Sequence, residues 1–236
     1  MLEIQFLGYW SSNMTVSKRN ISLLVGRKTA LDFGPHSLES LLELGIDPCS
    51  LETIFISHMH LDHYSGLTEL LWYRAIHSCK ETLNIVGPKG IGENTERLLE
   101  LYHTPDAFEI FTEFHEEKYD FAQGFAANHL IRDIGFRLEL EGKVIFYSGD
   151  TSYSENVAKG AEKADILFHE MTYLDADKKW ADFWKHSTVG DVRKVFQESR
   201  ASLLIPVHLT GKTDSHVREG LSRDSNIRAP GNPITL

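Results

Sequence analysis

The stretch His58-Met59-His60-Leu61-Asp62-His63 places four potential metal ligands within six positions. Imidazole nitrogens and carboxylate oxygens are the donors that divalent zinc, manganese or iron accept, at about 2.0–2.2 Å. The cluster directly follows Thr53-Ile54-Phe55-Ile56-Ser57, a continuous apolar run that reads as a buried strand. A loop leaving a rigid strand can aim several donors at one point. Four ligands so close in sequence cannot all wrap one small ion without strain, so the pattern points to two ions sharing the cluster. Twelve histidines are scattered through the chain, and a histidine-rich surface loop is the bland alternative; the adjoining apolar strand weighs against it.

Two ions need more donors, and the candidates stand at the ends of apolar runs. His129 follows Phe125-Ala126-Ala127-Asn128, Asp150 follows Phe146-Tyr147-Ser148-Gly149, and His208 follows Ile205-Pro206-Val207. Taken singly, a strand-end His is more often a hydrogen-bonded structural residue, and Asp150 before Thr151 could cap a helix. Jointly they supply what two metals require. His186 has the side chain whose ordinary pKa lies nearest neutrality and is the candidate general acid, with Glu170 to steer it and an N-cap-like role as the alternative. Asp62 could orient an attacking water or accept its proton.

The elements that must position these groups alternate in type. Residues 2–7, 21–25 and 29–33 read as strands, the last closed by Asp32-Phe33-Gly34-Pro35. Leu38, Leu41, Leu42 and Ile46 recur at helical spacing, as do Leu67, Leu70, Leu71 and Ile76 after the cluster. Residues 83–86 lead into a Gly87-Pro88-Lys89-Gly90 turn, 134–147 read as a hairpin about Glu141-Gly142-Lys143, and strands at 165–168 and 203–207 flank a helix at 187–198. No repeat or linker divides the chain, so residues 1–236 are read as one α/β domain.

Composition bounds the partners. With 34 acidic against 24 basic residues the formal charge is -10, which opposes binding of a long nucleic acid. A small anionic substrate drawn to a metal-lined cleft remains compatible with it. No apolar run approaches the roughly 18 residues of a membrane span, and Glu3 stands where a secretory signal carries Lys or Arg. The expectation is a cytoplasmic protein with no membrane partner. Cys49 and Cys79 could pair, but they belong to no metal-binding spacing and a domain of this size needs no disulfide, so free thiols are the default reading. Lys212 and Arg19 could contact a substrate anion, with solvated surface charge the favoured reading; of Trp10, Trp72, Trp180 and Trp184, two could line a pocket near His186, with core the favoured reading; His169 is read as structural.

The ordered set His-x-His-x-Asp-His, a lone His, Ser148-Gly149-Asp150-Thr151 and a final strand-end His resembles the metallo-β-lactamase superfamily across nearly the whole chain. Lys18-Arg19-Asn20, Asp32-Phe33-Gly34, Gly87-Pro88-Lys89-Gly90, His169-Glu170-Met171-Thr172 and His186-Ser187-Thr188 resemble the motifs of its ribonuclease Z and phosphodiesterase-like branch. The resemblance implies a four-layer αββα sandwich with a dinuclear site at one edge. It further implies that His58, His60 and His129 hold one ion, that Asp62, His63 and His208 hold the other, and that Asp150 bridges them. The ions would be zinc, with manganese or iron as alternatives. Two departures narrow the substrate. His129 and Asp150 stand only 150 − 129 = 21 positions apart, filled by the hairpin, where tRNA-processing members carry a long basic arm; and Pro35-His36-Ser37 replaces their Glu-containing turn.

The reading is therefore a dinuclear phosphodiesterase acting on a small or flexible phosphodiester, such as a nucleotide or a short RNA end. A lactonase, thioesterase or sulfatase using the same metals is the alternative. A metal-binding sensor without turnover is disfavoured because every ligand position is filled, and an oxygen-reducing di-iron role because no cluster His is replaced by Glu. Relatives form homodimers, and the same state is open here.

Overall fold

The computed structural model describes residues 1–13 and 15–236. Its first half contains β1 (Glu3–Gly8), β2 (Ser22–Val25), β3 (Thr29–Leu31), α1 (Ser37–Glu43), β4 (Thr53–Phe55), α2 (Leu61–Ile76), β5 (Leu83–Gly87), α3 (Ile91–Leu101) and β6 (Thr112–Glu116). The second contains β7 (Lys118–Tyr119), β8 (Ala122–Ala126), β9 (Ile134–Leu140), β10 (Lys143–Tyr147), α4 (Glu155–Gly160), β11 (Ile166–Glu170), α5 (Lys178–Trp184), α6 (Val189–Ser199), β12 (Leu204–Val207), α7 (Gly211–Glu219) and β13 (Ile234–Thr235).

The strands form two mixed sheets, ordered β13-β1-β2-β3-β4-β5-β6 and β12-β11-β10-β9-β8-β7. Side-chain alternation explains the layers. In β11, Ile166 and Phe168 point between the sheets, while Leu167 packs outward with Val192 and Val195 of α6. In β4, Phe55 joins the inter-sheet core, while Ile54 meets Leu67 and Leu70 of α2. Both faces of each sheet are covered, so β4 and β11 read as unbroken apolar runs rather than alternating ones. The result is the expected αββα order of layers, and the helices at Leu38, Leu67 and 187–198 fall where periodicity placed them. Among the described residues no helix is long and apolar enough to cross a membrane.

The cysteine expectation is corrected. Cys49 and Cys79 are disulfide-bonded across 30 positions, with Cα atoms 5.4 Å apart. What brings them together is Arg74, buried near the end of α2. Its guanidinium donates to the carbonyls of Pro48 and Cys49 at 2.9 and 3.0 Å and to that of Glu81 at 2.6 Å, clamping the two segments side by side. Burial lowers its pKa by more than nearby Glu81 and Asp47 raise it, and the carbonyls accept from its buried donors.

Candidate metal centre

Chain direction gathers the donors at one edge. Strand β8 is antiparallel to β9 and β9 to β10, so β8 and β10 run the same way, and β11 and β12 are parallel to β10. All four C-termini therefore emerge together, delivering His129, Asp150, Glu170 and His208 to one rim. In the facing sheet β4 ends at Phe55, and His58 and His60 follow. The cluster is not wholly a loop as expected: α2 begins at Leu61, so Asp62 and His63 sit in its first turn, where a carboxylate suits the positive end of the helix. That turn is pressed onto Asp32-Phe33-Gly34. Phe33 N donates to the His63 carbonyl at 2.8 Å, and a Cβ at Gly34 would lie 1.9 Å from the Asp62 oxygen.

Seven predicted ligands converge in two groups. His58 Nε2 and His129 Nε2 lie 2.9 and 3.2 Å from His60 Nδ1, and Asp150 Oδ2 lies 3.9 Å from His58 Nε2. On the other side, His208 Nε2 is 3.3 Å from Asp62 Oδ2 and 3.4 Å from Asp150 Oδ2. His63 Nε2 is 3.3 Å from the same Asp150 oxygen, without hydrogen-bond geometry. Asp150 thus stands between His58-His60-His129 and Asp62-His63-His208. His186 makes a third group with Asp150 and His208.

The nitrogens turned away from the centre are held by residues that sequence reasoning did not single out for this role. His63 Nδ1 meets Asp32 Oδ2 at 2.7 Å, and Asp32 also accepts from Ser57 and Tyr147. His129 Nδ1 donates to the Lys185 carbonyl at 3.0 Å. Thr172 Oγ1 donates to Glu170, so at 2.8 Å it accepts from His208 Nδ1. His58 Nδ1 lies 2.8 Å from Asp133 Oδ2, which also accepts from Asp150 N at 3.0 Å. Acceptors at Nδ1 of His63, His129 and His208 put the proton there and leave the Nε2 lone pair facing inward, the tautomer a metal requires. Asp133 approaches so closely that residue 149 must be glycine: its φ is +60°, and a Cβ would lie 2.2 Å from Asp133 Oδ1. Asp32 and His208 adopt left-handed φ values of 55° and 53°, an uncommon conformation for such residues that the surrounding bonds enforce.

These residues fit a cation by two observations. His63 Nε2 and Asp150 Oδ1 are buried without a hydrogen-bond partner among the described residues, a cost that a bound ion removes. The electrostatics also attract positive charge. Although burial opposes it, Asp150 and Asp32 raise His63 well above the ordinary imidazole range. Burial likewise works against ionisation of Asp150, yet His208, His63 and His186 hold it well below the usual carboxylate range.

Beside this centre, Glu170 is buried at the end of β11 and accepts from Thr151 N, Ser187 N and Thr172 N, each at 3.1 Å. Its Oε1 meets His186 Nδ1 at 2.8 Å. Burial disfavours the imidazolium, but Glu170 and Asp150 outweigh it and push His186 up to about 9. The helix cap is Thr188, with Asp191 completing the capping box, so His186 has no capping role. Asp150 caps no helix either; α4 is capped by Ser154. His169 is fully buried, with Nδ1 on the Glu170 carbonyl and Nε2 without a hydrogen-bond partner among the described residues.

A cleft of about 900 Å³ opens over the centre. Trp180 and Trp184 line it beside His186, 51 and 46 % exposed, so for this pair the pocket alternative holds over the favoured core reading; the pattern that buries Ala181 turns them outward. Trp10 is buried. Lys212 is an exposed rim residue 3.5 Å from Asp177. Arg19 is not a free surface charge, because it donates to both carboxylate oxygens of Glu43 and to Ser40.

Comparison with known proteins adds an independent line. The model of the beta-lactamase superfamily domain matches residues 38–209. A ribonuclease Z of Methanosarcina acetivorans is 27% identical over 284 residues, covering 95% of this chain and 92% of its own. Among solved structures, the short form of human tRNase Z superposes with a TM-score of 0.83 at 21% identity, covering 99% of this chain and 98% of its own. A diphosphatase from the PhnP family superposes with a TM-score of 0.78 at 16% identity, covering 100% and 98%. The family match spans well over half of the sequence and the fold agrees along its whole length, so the chain belongs to the metallo-β-lactamase superfamily, in its ribonuclease Z and phosphodiesterase-like branch.

Proposed function

We propose that this metal-dependent hydrolase is a dinuclear phosphodiesterase whose substrate is small or flexible, a nucleotide or a short RNA end. The observation that carries the reading is the placement of Asp150 between two three-residue donor sets, with the His186–Glu170 pair 2.8 Å apart at the same rim. His58, His60 and His129 would hold one ion, Asp62, His63 and His208 the other, and Asp150 both. Five imidazoles and two carboxylates suit zinc, with manganese or iron as alternatives. Bound there, divalent cations would supply positive charge to a phosphodiester and make water acidic enough to attack at neutral pH.

The remaining steps belong to the protein. Burial opposes its ionisation, but the His208 hydrogen bond keeps Asp62 a carboxylate well below the usual range, a weak base better suited to orienting water than to removing its proton. His186, with Nδ1 committed to Glu170, presents Nε2 to the cleft and can protonate the departing oxygen. The hairpin β9–β10, filling the interval between His129 and Asp150, supports a role without the tRNA-binding arm, as does the acidic balance of the chain.

The test is metal analysis joined to a panel of aryl phosphodiesters, lactones, thioesters and sulfate esters. We expect about two zinc equivalents per chain and turnover of the phosphodiesters. Rapid opening of lactones by metal-loaded protein that leaves every phosphodiester intact would overturn the reading.

A further inference from the structure

One wall of the cleft takes no part in the metal and proton chemistry. Helix α5 buries only Ala181, and its Trp180, Phe183 and Trp184 are 51, 61 and 46 % exposed. Trp180 and Trp184, four positions apart, share a helix face, and both line the cleft. Phe183 braces them edge-on, with centroids 6.2 and 4.9 Å away. Leaving three large aromatic rings in water is unfavourable, and nothing in the packing of α5 requires it.

The wall is tied to the centre. His186 N donates to the Ala181 carbonyl at 2.9 Å, and the next carbonyl beyond α5, that of Lys185, holds His129. The indoles therefore stand at a set position relative to the donors. The same cleft carries the polar Ser12, Asn13 and Lys212, the last 3.5 Å from Asp177 just before α5, along with the exposed Leu61 and Leu130. Two exposed indoles with polar groups within the same cleft fit a flat group with hydrogen-bonding edges. An alkyl chain would instead need an apolar tunnel that encloses it.

The geometry points to a stacking subsite on Trp180 and Trp184 for a planar base carried by the phosphodiester, so that the substrate is a nucleotide rather than a sugar phosphate. This rests on the phosphodiesterase reading above. Stacking uses the face every base has, so the subsite discriminates base from no base more than one base from another, by roughly tenfold.

A matched pair of cyclic esters tests it: adenosine 2′,3′-cyclic phosphate and methyl riboside 2,3-cyclic phosphate, with zinc-loaded protein. The nucleotide should have the higher kcat/KM by about tenfold, expressed in KM. In Trp180→Ala and Trp184→Ala the ratio should move toward one, and Trp184→Phe should restore most of it. Equal use of both esters by the parent protein, or a parallel fall for both in the variants, overturns the subsite and leaves the phosphodiesterase reading intact. If neither ester is cleaved, the aryl phosphodiester panel above still judges that reading, and calorimetric binding of AMP against ribose 5-phosphate decides the subsite: a preference for AMP lost in the Trp variants supports it, equal binding sinks it.

Discussion

At the floor of the cleft four of the five donor imidazoles face the centre with one nitrogen while Asp133, Asp32, Lys185 or Thr172 stands at the other. On the wall a few residues away, the aromatic side chains of α5 are largely exposed and meet chiefly one another and the Lys179 ammonium. Holding cations requires several lone pairs to point at one spot, and only bonded, buried side chains keep such an aim. Receiving a substrate requires a surface that is not already satisfied. One cleft therefore contains a region whose residues cannot be changed without losing the centre and a region free to vary with the molecule admitted.

The sharpest way to break this contrast is Asp150→Ala. With the shared carboxylate gone, both ions should be lost and hydrolysis should fall to that of metal-free protein; elemental analysis and rate together check it, and an active, metal-replete variant would refute the bridging position. His186→Ala should keep its metals and lower kcat by about 10²–10⁴-fold. The loss should shrink when the leaving group is p-nitrophenolate, which needs little protonation, and an equal loss with an alkoxide leaving group would argue against proton donation.

Smaller effects refine the picture. Asp133→Asn keeps the shape and an acceptor for Asp150 N but replaces the carboxyl group beside His58 Nδ1 with an amide, and zinc affinity should weaken by about 10–100-fold in a competition titration with a chelator. Away from both regions, replacing Cys49 and Cys79 together by Ser should lower stability by about 3 kcal/mol in urea unfolding, with kcat at 25 °C retained, since the bridge restrains mainly the unfolded chain. On the wall, Trp180→Ala should alter stability by no more than about 0.5 kcal/mol. A large loss there would mean that α5 is braced as firmly as the floor, and the contrast would fail.

How far these regions could be read beforehand follows from the range of the interactions. The cluster at His58–His63 is local, and His129, Asp150 and His208 stand out because polar residues end apolar runs. Asp133 bears no such mark, since its partner His58 lies 75 positions earlier (133 − 58 = 75), and Thr172 meets His208 across 36. For the tryptophans of α5 the core was favoured over a pocket wall because composition says that a Trp is apolar, not which way its helix is turned. The disulfide was missed for a similar reason: the clamp that Arg74 makes on three carbonyls leaves no signature in cysteine spacing.

The amino-acid order determined, by itself, the alternation of strands and helices, the donor types and their placement at strand ends, because those depend on neighbours a few residues away. Which nitrogen of each imidazole faces inward, that Asp150 stands between the two donor sets, and that two indoles open onto the cleft were decided only by tertiary structure. Each is a matter of direction, and direction is set when parallel strands from two sheets bring distant residues to one edge.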